Sequence, residues 1–353
     1  MRVEEIDKIH GVSCYVDTGN ELCFAYLDES TLYIGDTSVS LEQEIDKSTL
    51  NFVDGLLCWQ ANSGSASLLY SLSEQKVMRQ DEQSGTRVGY YKMQTLIGNS
   101  ILMWEVNEEL DANYLYDITN QASKTLPFDP RYHGFDGQQH IFLAYGDFEL
   151  EETVREDVRA YNPDGELLWV FPLRGSTSNG FQNDVPLELN AALGIYDGKL
   201  WLKLSSYDIV ALDLATGEEV ARLQFERNVT EYLQLDARQG CLFGTSRQQY
   251  FHVDLTEPEL RVQKGDIRGL AEAGIRSVFT EYYFCFNDAF LFVAEPTTGA
   301  VAMIDRQQWQ VVHGFKPEMI GNSLRKLNGT SLQGNKFYLL DGANTLHIYQ
   351  WQA

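Results

Sequence analysis

The chain has 353 residues, 44% of them hydrophobic and 12% aromatic, which is enough to bury a large core. Its 51 Asp and Glu residues outnumber its 27 Lys and Arg residues, and the formal net charge is −24. A field of this sign repels nucleic acid and anionic membranes and speeds the encounter with basic proteins. We therefore expect a basic protein partner and neither nucleic acid nor membrane binding; the alternative is that the acidic surface only keeps the protein soluble and its strand edges unpaired.

The N-terminal residues 1–16 contain no apolar run as long as that of a signal peptide, and no segment approaches the roughly 20 apolar residues of a membrane span. The five cysteines are Cys14, Cys23, Cys58, Cys241 and Cys285. They lack CxxC spacing and lie in apolar, strand-like runs, which is typical of buried free thiols in a reducing compartment. The sequence therefore predicts a cytoplasmic protein.

Strand-like segments separated by turn residues recur along the chain, and only residues 2–9 and 267–275 have helical character. The recurring units are spaced by roughly 40 to 50 residues, as β-propeller blades are. The eight partial units begin at or near Glu21, Asn51, Leu96, Phe135, Tyr196, Leu235, Phe284 and Ser331.

Residues 196–225 form the most regular unit. Leu200, Leu202 and Leu204 alternate with Trp201 and Lys203, which is the period of a strand with two different faces. Two turn sequences, Asp-Gly at 197–198 and Ala-Thr-Gly at 215–217, punctuate the unit. The unit is therefore predicted to be an antiparallel meander.

The end of this unit, ALDLATGEEVARLQF, resembles the blade repeat of quinoprotein-like bacterial propellers. A second copy, VRAYNPDGELLWVF at 158–171, places Trp169 at the blade-end position, and Asp254 and Asp305 occupy the place of Asp213 in weaker copies. The resemblance implies a propeller fold and says little about chemistry. Quinone enzymes of this type repeat a Trp at nearly every blade end, and many carry adjacent cysteines. Here only Trp169 fits and no Cys-Cys occurs, so we expect no quinone and no other cofactor.

The predicted fold is all-β: a single closed β-propeller of four-stranded blades over residues 1–353. Propellers are commonly closed by completing the last blade with a strand from the other terminus. If the first and last partial units share one blade in this way, the eight units give seven blades. Seven blades are therefore our prediction, and eight are the alternative.

Two insertions interrupt the regular spacing, and long loops in compact domains often carry function. The first, residues 145–158, is strongly acidic but lacks the residue order of a calcium loop, so no metal site is predicted. The second, residues 173–190, is rich in Ser, Asn and Gly. The candidate partner-binding residues are Asp147, Glu149, Glu151, Glu152, Glu156 and Asp157 in the first insertion and Asn179 and Phe181 in the second.

No catalytic motif is present, and the six histidines are dispersed without metal-ligand spacing. The sequence favours a non-enzymatic, monomeric propeller that binds a basic protein. A more specific form of this hypothesis is an immunity or antidote protein. The alternative is a glycan-active hydrolase or lyase with its site in the central channel. Its paired carboxylates cannot be identified from spacing across blades, so no catalytic residue is named.

Overall fold

A computed structural model describes residues 2–18, 21–26, 30–40, 45–46, 49–61, 66–82, 86–91, 93, 95–106, 111–145, 157–173, 188–225, 233–279, 284–295, 298–317 and 329–352. The secondary structure of these ranges is strands joined by turns. Residues 267–275, predicted to be helical, form consecutive turns instead, in which the N–H of Ile275 bonds to the carbonyl of Leu270. Gly269 and Gly274 both have positive φ, which is incompatible with a continuous right-handed helix.

The described strands form eight sheets, which we number as blades in chain order. The first strand is β1 (Arg2–His10). Blade 1 contains β2 (Val12–Asp17), β3 (Leu22–Tyr26), β4 (Thr31–Ile34) and β5 (Thr37–Ser40). Blade 2 contains β6 (Asn51–Val53), β7 (Leu56–Gln60), β8 (Ala66–Ser71) and β9 (Lys76–Glu82). Blade 3 contains β10 (Arg87–Tyr90), β11 (Ser100–Val106), β12 (Asp111–Asp117) and β13 (Ala122–Leu126). Blade 4 contains β14 (Tyr132–Phe135), β15 (His140–Tyr145), β16 (Asp157–Tyr161) and β17 (Leu167–Pro172).

The remaining four blades repeat this order. Blade 5 contains β18 (Leu189–Tyr196), β19 (Lys199–Leu204), β20 (Asp208–Asp213) and β21 (Glu219–Gln224). Blade 6 contains β22 (Leu233–Asp236), β23 (Cys241–Arg247), β24 (Gln249–Asp254) and β25 (Gln263–Asp266), with the short β26 (Val278–Phe279) paired to β23. Blade 7 contains β27 (Phe284–Phe286), β28 (Phe290–Ala294), β29 (Val301–Asp305) and β30 (Gln310–Phe315). Blade 8 contains β31 (Thr330–Gln333), β32 (Lys336–Leu340) and β33 (Thr345–Gln352), and β1 is its fourth strand.

The prediction of an all-β propeller is confirmed, but the prediction of seven blades is wrong, because the described strands form eight. The first and last partial units do not share a blade, since β2 and β5 complete the first unit as blade 1. The strand supplied by the other terminus is β1, which pairs antiparallel with β33 from Arg2↔Gln352 to His10↔Thr345. The prediction of a helix over residues 2–9 is therefore wrong. A bulge between Glu5 and Asp7 breaks the alternation expected of a strand and accounts for the error.

Contacts divide the chain into two compact units. The first comprises Met1–Gly89, Phe243–Val253 and Val262–Ala353, and the second comprises Tyr90–Leu242 and Asp254–Arg261. Within the first unit, Phe292, Phe337 and Trp351 belong to one buried apolar cluster. Within the second, Trp169 and Leu202 belong to another. A single domain over residues 1–353 remains a prediction.

The predicted meander at residues 196–225 is present as β19, β20 and β21. Asp197 and Gly198 both have positive φ, 50° and 65°, which suits a two-residue hairpin turn. At the next turn the Oδ1 atom of Asp213 accepts the N–H groups of Ala215 and Thr216. Asp254 and Asp305 accept turn N–H groups in the same way after β24 and β29, so their equivalence with Asp213 is confirmed.

The Trp and Gly positions of the repeat make a fixed contact between blades 4 and 5. The Nε1 atom of Trp169 donates a hydrogen bond to the carbonyl of Leu214 at 2.9 Å. Its ring covers Gly217, where an added Cβ would lie 2.6 Å from the ring atom Cδ2. Gly217 also has φ +73°, a conformation that side chains disfavour. Trp169 of blade 4 therefore favours Gly at position 217 of blade 5.

Candidate functional site

Most of the predicted partner-binding residues lie outside the described part of the chain. These are Asp147, Glu149, Glu151, Glu152, Glu156, Asn179 and Phe181. Asp157 is described: it is the first residue of β16, and its Oδ1 atom accepts a hydrogen bond from Nε of Arg159 at 3.1 Å. The side chains of Asp157 and Arg159 are 21% and 29% exposed, so this ion pair is partly open to solvent.

The two insertions leave blade 4 at the same end of its sheet. Tyr145, the last residue of β15, pairs with Val158 of β16, and Asp157 pairs with Pro172 at the end of β17. The acidic connection therefore starts and finishes beside the origin of the connection to β18. At the opposite end of blade 4 the turns are short, and Asp136 and Asn162 accept N–H groups within them. Both candidate segments thus arise from one end of the blade.

A pair of histidines, missed by the sequence analysis, lies across the first hairpin of blade 4. The Nε2 atom of His133 is 3.0 Å from Nδ1 of His140, and the two rings stack with centroids 5.2 Å apart. Burial and the neighbouring imidazole lower the pKa of His133 to about 4, and burial lowers the pKa of His140 as well. The pair is therefore neutral at pH 7, and one ring donates its N–H to the other. The turn at Asp136 is the sequence feature from which the pair could have been predicted. This turn sets the register Phe135↔His140, and His133, two residues before Phe135, is therefore diagonal to His140.

A second histidine arrangement joins β1 to β33 within blade 8. The Nδ1 atom of His347 lies 2.7 Å from Oε1 of Glu5, and its Nε2 atom lies 3.1 Å from Oδ2 of Asp341. Burial alone would lower the pKa of His347, but the two carboxylates raise it above its usual value. Asp341 also accepts the N–H groups of Ala343 and Thr345, and His347 is only 1% exposed. His347 and Asp341 are buried and closed to a substrate, whereas the side chain of Glu5 is 29% exposed and links this pair to the outer strand.

The described cysteines also lack the properties of nucleophiles. Burial raises the pKa of the Cys58 thiol to about 12, and burial together with the carboxylates of Glu21 and Asp17 raises the pKa of Cys23 to about 12. Thiols with such pKa values are protonated and unreactive at neutral pH. Cys14 and Cys241 are buried as well, and Cys285 is partly buried. All five cysteines are free, and the prediction that they are buried is confirmed for all but Cys285.

Among the described residues, no group of three or more His, Cys, Asp and Glu side chains is placed to hold a metal ion. In the same part of the chain, no helix is long and apolar enough to cross a membrane.

An exposed apolar strand is a further feature that the sequence analysis missed. β17 has the sequence LLWVFP, and its side chains at Leu167, Leu168 and Val170 are 52%, 42% and 44% exposed. None of the six residues of β17 is charged, but only the sheet order shows that β17 is the fourth, outer strand of its blade.

Comparison with known proteins identifies the fold and no family. No family model matches the chain, and no curated protein matches it. Among solved structures, BamB from Moraxella catarrhalis aligns with a TM-score of 0.61 at 11% identity, over 99% of this chain and 100% of that one. Sqt1 from Saccharomyces cerevisiae aligns with a TM-score of 0.59 at 10% identity, covering 99% and 98% of the two chains. The β-propeller domain of Cps50 (Swd1) from Myceliophteria thermophila aligns with a TM-score of 0.51 at 12% identity, covering 99% and 100%. These similarities support a β-propeller fold.

Proposed function

We propose that this chain is a non-enzymatic β-propeller that binds a protein with a basic surface. The observation that carries the proposal is the charge, −24 over 353 residues, together with the position of its most acidic segment. That segment connects β15 to β16 and begins and ends at the same end of blade 4 as the long connection to β18. Insertions anchored on a rigid sheet are a common means of presenting binding residues.

The chemistry of the described polar groups supports binding rather than catalysis. His133 and His140 bond to each other, and His347 lies between two carboxylates. Turn carboxylates such as Asp213 accept backbone N–H groups and thereby stabilise hairpins. None of these arrangements brings together an acid and a base around an open site, as catalysis would require.

The finer form of the proposal is an immunity or antidote protein, which would act as a cytoplasmic monomer and cover the active site of a basic toxin domain. Strong acidity supports this form because electrostatic complementarity accelerates association and so favours rapid neutralisation. The contacts would include Asp147, Glu149, Glu151, Glu152, Glu156 and Asp157, with Asn179 and Phe181 from the neighbouring connection.

The test begins with cross-linking and affinity purification from the native cell, followed by mass spectrometry and measurement of association and dissociation rates with the captured protein. Replacing Glu149, Glu151 and Glu152 with Gln should slow association several-fold at low salt, because charges at the rim of an interface act mainly on the association rate. The dissociation rate and thermal stability should change little.

A matched control removes the same charge elsewhere: Glu218, Glu257 and Glu272, all exposed, are replaced with Gln. This control should slow association much less. The proposal would be contradicted if no protein were captured in stoichiometric amount. It would also be contradicted if the association rate changed neither with salt concentration nor with the substitutions at Glu149, Glu151 and Glu152.

A further inference from the structure

The fourth strand of each blade is an edge of its sheet, and most fourth strands of this protein carry protective polar residues. Charged residues occur in β1 (RVEEIDKIH), β9 (KVMRQDE), β13 (ASKTL), β21 (EVARLQ) and β25 (QKGD), and β5 (TSVS) is rich in Ser and Thr. Charges on an edge strand discourage pairing with a second chain. Two fourth strands, β17 (LLWVFP) and β30 (QVVHGF), contain neither Asp, Glu, Lys nor Arg and no Ser or Thr.

These two strands differ in what covers their outer side. At the start of β30, the N–H of Val311 bonds to the carbonyl of Arg268, and the N–H of Arg268 bonds to the carbonyl of Trp309. This segment covers the first residues of the β30 edge. Among the described residues, no backbone hydrogen bond joins β17 to any segment other than β16. An uncharged, apolar edge invites association. β17 does have two features that weaken an edge, a bulge opposite Ala160 and Tyr161 and the terminal Pro172, but neither places a charge or a covering segment on it.

The β17 edge is also held in place. Trp169 and Phe171 are 6% and 7% exposed, and the indole is fixed by its hydrogen bond to Leu214 and its contact with Gly217. The exposed side chains of Leu168 and Val170 therefore project from a backbone whose alternate residues are anchored in the core. A preorganised strand loses little conformational entropy when a partner binds.

We propose that β17 binds an extended segment of a partner protein, which adds as a further strand beside β17 and packs apolar side chains on Leu168 and Val170. The inference rests on the proposed function and names the contact within it. The partner segment should alternate apolar with basic residues. Strand addition supplies backbone hydrogen bonds, and alternate side chains supply specificity. The basic character follows from the net charge of −24 and from Glu166, which is exposed immediately before the strand. The same net charge disfavours a second copy of this chain as the occupant.

A labelled peptide of about nine alternating lysine and valine residues serves as the probe, with binding to the full chain measured by fluorescence anisotropy. Two further peptides are compared with it: one has the same side chains with alternate backbone nitrogens methylated, and the other has glutamate in place of lysine. We expect binding of the first peptide only, with slower hydrogen exchange at β17. Equal binding of the methylated peptide would overturn the proposal, because it would show adhesion by charge without strand pairing.

The protein variant for this test is Leu167→Gln, Leu168→Gln and Val170→Thr, which leaves the charge unchanged. Its control is Val77→Thr on β9, where the valine is 41% exposed within a charged strand. We expect the triple variant to weaken peptide binding at least about tenfold and the control to change it less than about twofold. Equal affinities of the wild type and the triple variant would overturn the proposal, as would a wild-type dimer in sedimentation that the triple variant abolishes. Circular dichroism verifies that each variant is folded.

Rate measurements with the captured native partner distinguish strand addition at β17 from the proposed function. If β17 is the contact, the triple variant should accelerate dissociation of the captured protein, whereas the Gln substitutions at 149, 151 and 152 should slow its association. Unchanged dissociation from the triple variant, with association still dependent on the acidic segment, would reject strand addition at β17 and leave the proposed function standing.

Discussion

Blades 4 and 8 have the same four-stranded topology but use polar residues in opposite ways. The fourth strand of blade 8, β1, carries charged residues along its length, and one of them, Glu5, reaches inward to His347. The fourth strand of blade 4, β17, carries none, and the histidines of this blade pair with each other as neutral rings. Blade 8 therefore depends on buried charge and protects its edge, whereas blade 4 excludes charge from both its histidine pair and its edge.

The largest expected effect comes from the buried charges of blade 8. Asp341→Ala would leave His347 buried without one of its carboxylate partners and would remove the acceptor of two turn N–H groups. Below pH 6.5, where His347 is protonated, we expect the free energy of unfolding to fall by about 3–5 kcal/mol, the cost of breaking a buried ion pair. Asp157→Ala in blade 4 removes a partly exposed ion pair and should cost about 1 kcal/mol or less. Urea denaturation of both variants measures the difference, and equal losses would remove this contrast between the blades.

The two histidine arrangements should respond to pH with opposite signs. The pKa of His133 falls from 6.5 to about 4 on folding, so the unfolded chain binds a proton first as the solution is acidified. At pH 5 this single group should destabilise the fold by about 2 kcal/mol relative to pH 7. His133→Phe should reduce that acid sensitivity, as measured by urea unfolding at the two pH values.

The pKa of His347 is raised on folding, so its stabilising effect is complete below pH 6.5 and is lost as the pH rises through the folded-state pKa. His347→Gln should therefore flatten the alkaline side of the stability profile and leave the acid sensitivity due to His133 in place. If His133→Phe and His347→Gln both changed stability on the acidic side, or both on the alkaline side, the opposite pKa shifts of the two histidines would be contradicted.

The smallest effect tests how blade 4 is fixed to its neighbour. Gly198 and Gly217 both have positive φ, 65° and 73°, so Ala at either site should cost about 1 kcal/mol in backbone strain. Nothing lies within 4 Å of a Cβ added at Gly198, whereas one added at Gly217 would overlap the Trp169 ring. Gly217→Ala should therefore cost about 1 kcal/mol more than Gly198→Ala. Equal thermal midpoints of the two variants would show that the Trp169 ring can move away from an added Cβ without loss of stability.

The repeated parts of the fold can be predicted well from the sequence, because turn chemistry and alternation are local properties. Asp197-Gly198 and the Asp213 turn are recognisable from a few adjacent residues. The blade count cannot be predicted in the same way, because the pairing of β1 with β33 joins opposite ends of the chain and leaves no local pattern. The bulge at Glu5 further disguises β1 as a helix.

The same distinction applies to the candidate sites. The acidic composition of residues 147–157 is visible in the sequence, but its contacts depend on a partner and cannot be deduced from spacing. The exposed side of β17 escapes prediction for another reason: an apolar strand has the same sequence pattern whether a neighbour covers it or not. Only the position of Leu168 and Val170 on a fourth strand distinguishes them from core residues.

The pairing of β1 with β33 has a consequence for synthesis of the chain in the cell. His10 and Thr345, which share a hydrogen bond, are 335 positions apart. At about 5–20 residues per second, the ribosome would need about 20–70 seconds to complete the partner strand after β1 has been made. During that interval β1 lacks the strand with which it pairs. The charged side chains of β1 then discourage pairing with other chains and keep the strand soluble until β33 has been synthesised.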